Sequence, residues 1–346
     1  MKDDQRAAVQ AATRDSRGLL SIVVPAYNEA EGLPELHRRL SAVLDGVDLE
    51  AEILYVNDGS RDATLAVMED LHRQDSRVGI VDLSRNFGKE IAMTAGLDLA
   101  GGDAVVVIDA DLQDPPELIP ELIRHWRAGH DVVYAKREFR EGETWIKRAT
   151  AHLFYRLIRR VSRVAIPSDT GDFRLLSRRA VDALKQLREQ HRFMKGLFSW
   201  IGYSQYAVPY RRDPRFAGQT KWNYWKLWNF AIEGITSFTV APLKLASYLG
   251  VIVSVSAFLY IVYMVVSTLL RGNPVPGYPS LMSVVLFIGG VQLICLGVIG
   301  EYLGRTFNEV KARPLYLLNR FEPAKLDRAG ATKAGPSSGA SPEDGP

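Results

Sequence analysis

Two stretches without a single acidic or basic residue, 245–270 and 272–300, set the strongest limit on what this chain can fold into. Each exceeds the roughly 20 apolar residues that cross a bilayer core. Burying both runs inside a soluble protein would take far more chain than the 346 residues here, so they are expected to form a transmembrane helical hairpin. The connection, Arg271 to Pro279, is short and rich in Gly and Pro, which makes the spans antiparallel and puts both chain ends in one compartment. Lys221, Lys226 and Lys244 precede the first span and Arg305, Lys311 and Arg313 follow the second, against Arg271 alone in the connection. By the positive-inside rule both ends are cytosolic, and the hairpin sits in the cytoplasmic membrane.

The remaining composition assigns the flanks. Residues 1–18 have no apolar core of the signal-peptide kind and read as a flexible N-terminus. Residues 19–221 mix charged and apolar positions as a soluble α/β domain does. Trp222, Trp225 and Trp228 lie beside Tyr224 and Phe230, so 222–243 is expected to form interfacial juxtamembrane helices, a plain core helix being the alternative. The spans occupy 244–304, and 305–346 reads as a cytosolic basic segment and a disordered tail. The sole cysteine, Cys295, lies in the second span, so no disulfide framework is possible within the chain. A net charge of +3 gives no support for nucleic acid as a partner.

In the soluble part, apolar runs bounded by turn residues recur at 20–25, 52–56, 78–83, 104–108 and 131–135, with helical periodicity between the first four. That alternation predicts a mostly parallel sheet with crossover helices. Leu33, Leu36, Leu40 and Leu44 mark one helix face, and Ala63, Val67 and Leu71 mark another. Such sheets bind ligands beyond the carboxyl ends of their strands. Three polar segments are expected there: Pro25-Ala26-Tyr27-Asn28-Glu29, Asn57-Asp58-Gly59-Ser60 and Asp109-Ala110-Asp111-Leu112-Gln113-Asp114. Neither a dinucleotide glycine fingerprint nor a phosphate-binding P-loop is present. Asp109 and Asp111 can reach one cation if the chain leaves strand geometry between them. A hard ion such as Mg2+ or Mn2+ is commonly held by one or two carboxylates together with substrate phosphates. Turn hydrogen bonding is the other reading of two such aspartates.

Together, these three segments, the last continuing through Pro115-Pro116-Glu117, resemble family 2 glycosyltransferases of the GT-A fold. More narrowly, the chain is similar over about residues 19–315 to polyprenyl-phosphate glycosyltransferases, a group that includes dolichol-phosphate mannose synthases and bacterial undecaprenyl-phosphate transferases. The two-span ending matches the bacterial branch. The resemblance implies an α/β GT-A nucleotide-sugar transferase domain with a mostly parallel sheet, plus a C-terminal two-helix transmembrane hairpin. It implies nucleotide-sugar binding by Pro25, Tyr27, Glu29, Asp58, Asp109 and Gln113, and a metal, Mg2+ or Mn2+, on Asp109, Asp111 and Gln113. A packed ring is the alternative for Tyr27, and a first-turn carboxylate for Glu29.

On the acceptor side the resemblance implies that Arg137 and Arg148 hold a phosphate, although the basic helix around Arg148 would equally attract anionic lipid headgroups. The segment Ser168-Asp169-Thr170-Gly171-Asp172-Phe173-Arg174 matches the family's acceptor-side loop, in which Asp172 is a candidate base. A phosphate monoester has its second pKa near 6 and is already an anionic nucleophile at pH 7, so orienting the acceptor, binding the sugar or shaping the turn stay open for Asp172. Arg215-Phe216-Ala217-Gly218-Gln219-Thr220-Lys221 resembles the family's R-x-x-G-x-S-K element, with Thr220 in the Ser position. Arg215 and Lys221 are expected to neutralise the leaving diphosphate or the acceptor phosphate. Ordinary juxtamembrane charge is the alternative.

The implied reaction is inverting transfer of a sugar from a nucleotide diphosphate donor, UDP-glucose first, to a polyprenyl phosphate such as undecaprenyl phosphate, with Asp111, Asp172 and Arg137 as the catalytic set. Galactose, N-acetylglucosamine, formamido-arabinose and mannose stay open as the sugar. A processive polysaccharide synthase is disfavoured, because two spans cannot enclose a channel and no Q-x-x-R-W element is present. An inactive lipid-phosphate-binding scaffold is the reading from another class. Gly300 and Gly304 form a small-residue pair that would pack helices between the protomers of a homo-oligomer or within the hairpin.

Overall fold

The structure is a computed structural model that describes residues 18–137, 170–190, 192–210, 241–271 and 277–326. An eight-stranded sheet runs in the order β7-β5-β6-β4-β1-β2-β3-β8. Its strands are β1 (Leu19–Ala26), β2 (Glu50–Asn57), β3 (Val78–Leu83), β4 (Ala104–Val107), β5 (Val132–Arg137), β6 (Thr170–Ser177), β7 (Gln205–Tyr210) and β8 (Leu318–Glu322). The pairs β1–β2, β1–β4, β2–β3 and β5–β7 are parallel, while β3–β8, β4–β6 and β5–β6 are antiparallel. β1 therefore has β2 on one side and β4 on the other, which makes the gap beyond its carboxyl end the switch point of the sheet.

The strands alternate their side chains between two cores. Leu20, Ile22 and Val24 enter one with Leu33, Leu36, Leu40 and Leu44 of α1 (Leu33–Leu44). Each fully buried leucine of this kind contributes roughly 1.5–3 kcal/mol. Val23 enters the other core, with Ala92 and Met93 of α3 (Lys89–Leu99) and with α5 (Arg178–Gln186) and α6 (Met194–Trp200). Gly96 brings α3 close onto the sheet, since a Cβ there would lie 2.3 Å from Val23 Cγ1. On α2 (Thr64–Gln74) the inward face is Thr64, Met68, Leu71 and His72. The expected face of Ala63, Val67 and Leu71 is corrected by a small rotation, because Ala63 precedes the helix and stays exposed. Trp126 anchors α4 (Ile119–Arg127) against the first core.

Two long helices follow, α7 (Ala241–Arg271) and α8 (Tyr278–Val310). Their segments Ala246–Met264 and Phe287–Val310 are long and apolar enough to cross a membrane and, among the described residues, have none buried, unlike a core helix. Cys295 Sγ lies 3.6 Å from the Ala246 carbonyl, so the middle of α8 meets the first turns of α7. Added Cβ atoms at Gly300 and Gly304 would meet nothing within 4 Å, so among the described residues this pair does not join the two helices.

The segment 305–346, expected as a basic segment and tail, contains β8, which pairs antiparallel with β3. The chain thus returns, after both long helices, to the sheet that its first half built. Gln190 also reaches the end of α8, donating its N–H to Glu309 Oε1 at 2.8 Å and its side-chain amide to the Arg313 carbonyl at 2.5 Å. The end of the hairpin therefore lies on the side of the domain. The expected interfacial segment 222–243 falls outside the described residues apart from its last residues, 241–243, which begin α7.

Candidate active site

The three polar segments singled out in the sequence meet at the carboxyl ends of β1, β2 and β4. Asp58 donates its N–H to the Ala26 carbonyl at 3.0 Å, and Asn28, at φ 56°, donates to Ser60 Oγ at 3.1 Å and accepts from the Arg61 N–H at 2.9 Å. The Glu29 N–H reaches Thr64 Oγ1 at 2.9 Å, and the Glu29 carbonyl accepts from Gly32 and Leu33 at the start of α1. Pro25 is buried in β1, whereas Tyr27 is 38% exposed and is no packed core ring.

Asp58 is almost fully buried, and its two oxygens accept the N–H groups of Phe87 at 2.7 Å and Gly88 at 3.0 Å. It thereby fixes the loop that opens α3. Gly59 completes the contact at φ 63°, because a Cβ there would come within 2.4 Å of the Arg85 carbonyl carbon and the Asn86 nitrogen.

That loop carries Lys89, which the sequence reading passed over. Its ammonium bridges Asp109, at 2.6 Å from Oδ1, and Asp172, so carboxylates following β4 and within β6 share one cation. The Lys89 side chain is 45% exposed while those of Asp109 and Asp172 are 17% and 10% exposed. The signal lay in Gly88-Lys89-Glu90 opening a helix just past the third strand, an edge position like the others. Antiparallel pairing of β6 with β4 is what brings the start of β6, and Asp172 with it, to the carboxyl end of β4.

The charges set one another. Burial pushes the Asp109 carboxyl up to about 6 against the pull of Lys89, and the negative charge of Asp172 adds to the rise. Burial would also raise Asp172, but the Lys89 and Lys195 ammoniums outweigh it and hold that carboxyl well below the usual carboxylate range. Desolvation would lower Lys89, and the two carboxylates reverse this and raise it. Behind them, burial and the Asp172 charge push Glu90 up to about 7, although Glu90 accepts the Met194 N–H at 3.0 Å. Arg174 is buried, donates to the Gly171 carbonyl at 2.8 Å, and stands 3.8 Å from the Phe198 ring centroid.

Asp111 and Gln113 lie one turn further along. Leu112, at φ 58°, takes the chain out of strand geometry, and the Gln113 N–H donates to Asp111 Oδ1 at 3.2 Å. Asp114 accepts from the Tyr210 hydroxyl, which in turn accepts from Arg137 Nε at 3.3 Å. A Cβ at Gly171 would lie 3.2 Å from an Arg137 terminal nitrogen, so Arg137 borders the start of β6, which carries Asp172. The structure thus brings Asp58, Asp109, Asp111, Gln113, Arg137 and Asp172 to one sheet edge beside Pro25, Tyr27 and Glu29. Arg148, Arg215 and Lys221 lie outside the described residues.

The donor set suits a divalent cation. Among the described residues no three acidic, His or Cys side chains form a closed cage, while Asp172 Oδ1 is buried without a hydrogen-bond donor. One or two carboxylates with open positions for substrate phosphates is how magnesium-type ions are held.

Residues 21–185 match Glycosyl transferase family 2, and 241–306 match the GtrB C-terminal hairpin. A glycosyltransferase of Synechocystis sp. is 57% identical over 300 residues, covering 87% of this chain and 94% of that one. The chain belongs to glycosyl transferase family 2.

Among its relatives in the family, the SfII prophage-derived bactoprenol glucosyl transferase of Shigella flexneri is 48% identical over 301 residues, 87% of this chain and 97% of that one. The prophage bactoprenol glucosyl transferase homolog of Escherichia coli K12 is 47% identical over 301 residues, 87% and 98% of the two chains. A crystal structure of glucosyl-3-phosphoglycerate synthase from Mycobacterium tuberculosis with Mn2+ and UDP-glucose aligns at a TM-score of 0.45 and 18% identity, covering 66% of this chain and 80% of that one. The protein is a glycosyltransferase with a GT-A-type sheet and a C-terminal hairpin.

Proposed function

We propose that this family 2 enzyme moves a sugar from a nucleotide diphosphate donor, UDP-glucose in the first instance, onto a polyprenyl phosphate held at the cytosolic face of the inner membrane. The observation that carries the reading is the meeting of Asp109, just beyond β4, with Asp172, near the start of β6, on one ammonium. In this reading the donor and acceptor halves of the site share that centre. The relatives named for bactoprenol glucosyl transfer support the lipid acceptor, and the return of the chain from the end of α8 to the sheet supports an active site at the bilayer surface.

Asp109, Asp111 and Gln113 would hold Mg2+ or Mn2+, which when bound neutralises charge on the departing nucleoside diphosphate. Tyr27 offers an open ring for the base, beside Pro25 and Glu29. Asp58 serves the donor indirectly, by fixing the loop that bears Lys89. Arg137 presents a guanidinium to the acceptor phosphate, and Arg148, Arg215 and Lys221 add positive charge from segments outside the described residues. Asp172 orients the acceptor rather than taking a proton. The acceptor phosphate is already anionic at neutral pH and needs placement more than deprotonation. Displacement then proceeds in line at the anomeric carbon, with one inversion.

The test is transfer of radiolabelled sugar from a panel of UDP and GDP sugars to undecaprenyl phosphate by the purified full chain, with Mg2+ or Mn2+, beside Asp111→Asn. Metal-dependent labelling of the lipid by one donor, lost in the variant, supports the reading. No labelling with any donor by folded protein would reject it in favour of a binding scaffold.

A further inference from the structure

Lys89 is held at both ends in a way that neither strand packing nor helix capping explains. Its backbone is fixed because Asp58 accepts the N–H groups of Phe87 and Gly88 and because Gly59 fits closely against Arg85 and Asn86. Its side chain, by contrast, stays 45% exposed on a flexible stem and crosses the mouth of the site to two carboxylates that are far less exposed. A lysine on a surface helix has cheaper partners in water, and an ion pair of this sort costs side-chain freedom to hold. Asp109 Oδ1, which the ammonium contacts at 2.6 Å, has no other hydrogen-bond partner, and Asp172 Oδ1 is buried with none. The ammonium therefore stands where a cation entering between these aspartates would stand.

A divalent ion on Asp109 and an ammonium on the same carboxylate repel strongly at such separations. The arriving donor, however, brings diphosphate oxygens to the same edge, and a freed lysine at the opening of α3 has them within reach of its stem. We propose that Lys89, paired with Asp109 and Asp172, holds the Asp109 carboxylate in place of the metal in the donor-free enzyme and passes to the donor diphosphate when the metal enters on Asp109. This rests on the proposed nucleotide diphosphate chemistry. It makes Lys89 a donor-binding residue that also keeps the carboxylates from taking up metal ahead of donor, so metal and nucleotide load together.

The experiment measures binding by the full chain in detergent, with Mn2+ alone and with UDP at saturating Mn2+, for wild type, Lys89→Met and Lys89→Arg. Without the ammonium, Lys89→Met should take Mn2+ alone at least about tenfold more tightly than wild type, since a like charge has left the site. The same variant should bind UDP with Mn2+ at least about tenfold more weakly, having lost a charge-assisted contact. Lys89→Arg, which keeps the charge, should stay near wild type for Mn2+ alone. Melting temperatures check that each variant folds, and Lys89→Gln replaces Lys89→Met if the latter does not. Unchanged or weaker Mn2+ binding by the neutral variant overturns the proposal, as does unchanged UDP binding. Wild-type sugar transfer is read separately, so either result can stand beside an intact transferase.

Discussion

Asn319 donates its side-chain amide to Asp82 across 2.7 Å, and Asp82 accepts on its other oxygen from the Asn57 amide, also at 2.7 Å. Asn57 in turn accepts the Ser60 N–H at 3.1 Å, so β8 is linked by three side chains to the turn that holds Asp58. Asn319→Ala leaves one oxygen of a buried carboxylate without its donor and should cost about 1–2 kcal/mol of stability. Asn319→Asp, which sets two carboxylates against each other, should cost more. Thermal melting of the full chain checks the order.

Gly59→Ala tests the fit between the Asp58 turn and the loop of Lys89. The added carbon would meet backbone atoms at 2.4 Å in a left-handed conformation, so a loss of about 2 kcal/mol or more is expected. Because the loop must shift, Mn2+-dependent UDP binding should weaken as well. Unchanged melting and binding would show that the contact is not needed.

Asp131 supplies the pH dependence of the fold. It is fully buried and accepts from Ser177 Oγ at 2.9 Å, Ser204 Oγ at 3.1 Å and Arg179 Nε at 2.7 Å. Burial raises its carboxyl, but these donors and the Arg179 charge outweigh it and hold the folded-state value below the unfolded one. A depressed carboxyl stabilises fully above its unfolded value, so this contribution is whole at neutral pH and is lost as pH falls from about 4 through the folded value. Asp131→Asn should cost about 2–3 kcal/mol at pH 7 and flatten the acid side of a melting-temperature profile.

Asp109, pushed up to about 6 by burial, predicts a different signature in the donor-free protein. The carboxyl must be ionised to hold a divalent ion, so Mn2+ affinity should fall as pH drops below about 6. Calorimetry in buffers of different ionisation heat should show proton release on Mn2+ binding near pH 5.5 and little at pH 8. Binding that does not change with pH would remove Asp109 from the ligand set.

The nucleotide half of the fold was legible because its signals are local. The four leucines of α1 repeat on one face and all four are buried, and the polar segments end apolar strands as open sheets require. The rest depends on pairings between distant segments. Nothing in Leu318-Asn319-Arg320-Phe321-Glu322 alternates clearly, and its side chains are mostly exposed, so β8 is fixed by the edge of β3 that it covers. Likewise β6 enters between β4 and β5, and only that antiparallel insertion carries Asp172 to Asp109. Lys89 was missed for a simpler reason: the edge after β3 is polar like the others but carries no closely spaced pair of carboxylates such as Asp109 and Asp111.

β8 also imposes an order of assembly. The last strand of the sheet is synthesised after both apolar helices, so the edge of β3 stays uncovered while the hairpin is being made. An open strand edge is a template for pairing with other chains. The soluble half is therefore a nascent chain in waiting until the hairpin is complete. A version cut before Ala241 to improve solubility would keep that edge exposed and lose the Asn319 link to the donor site.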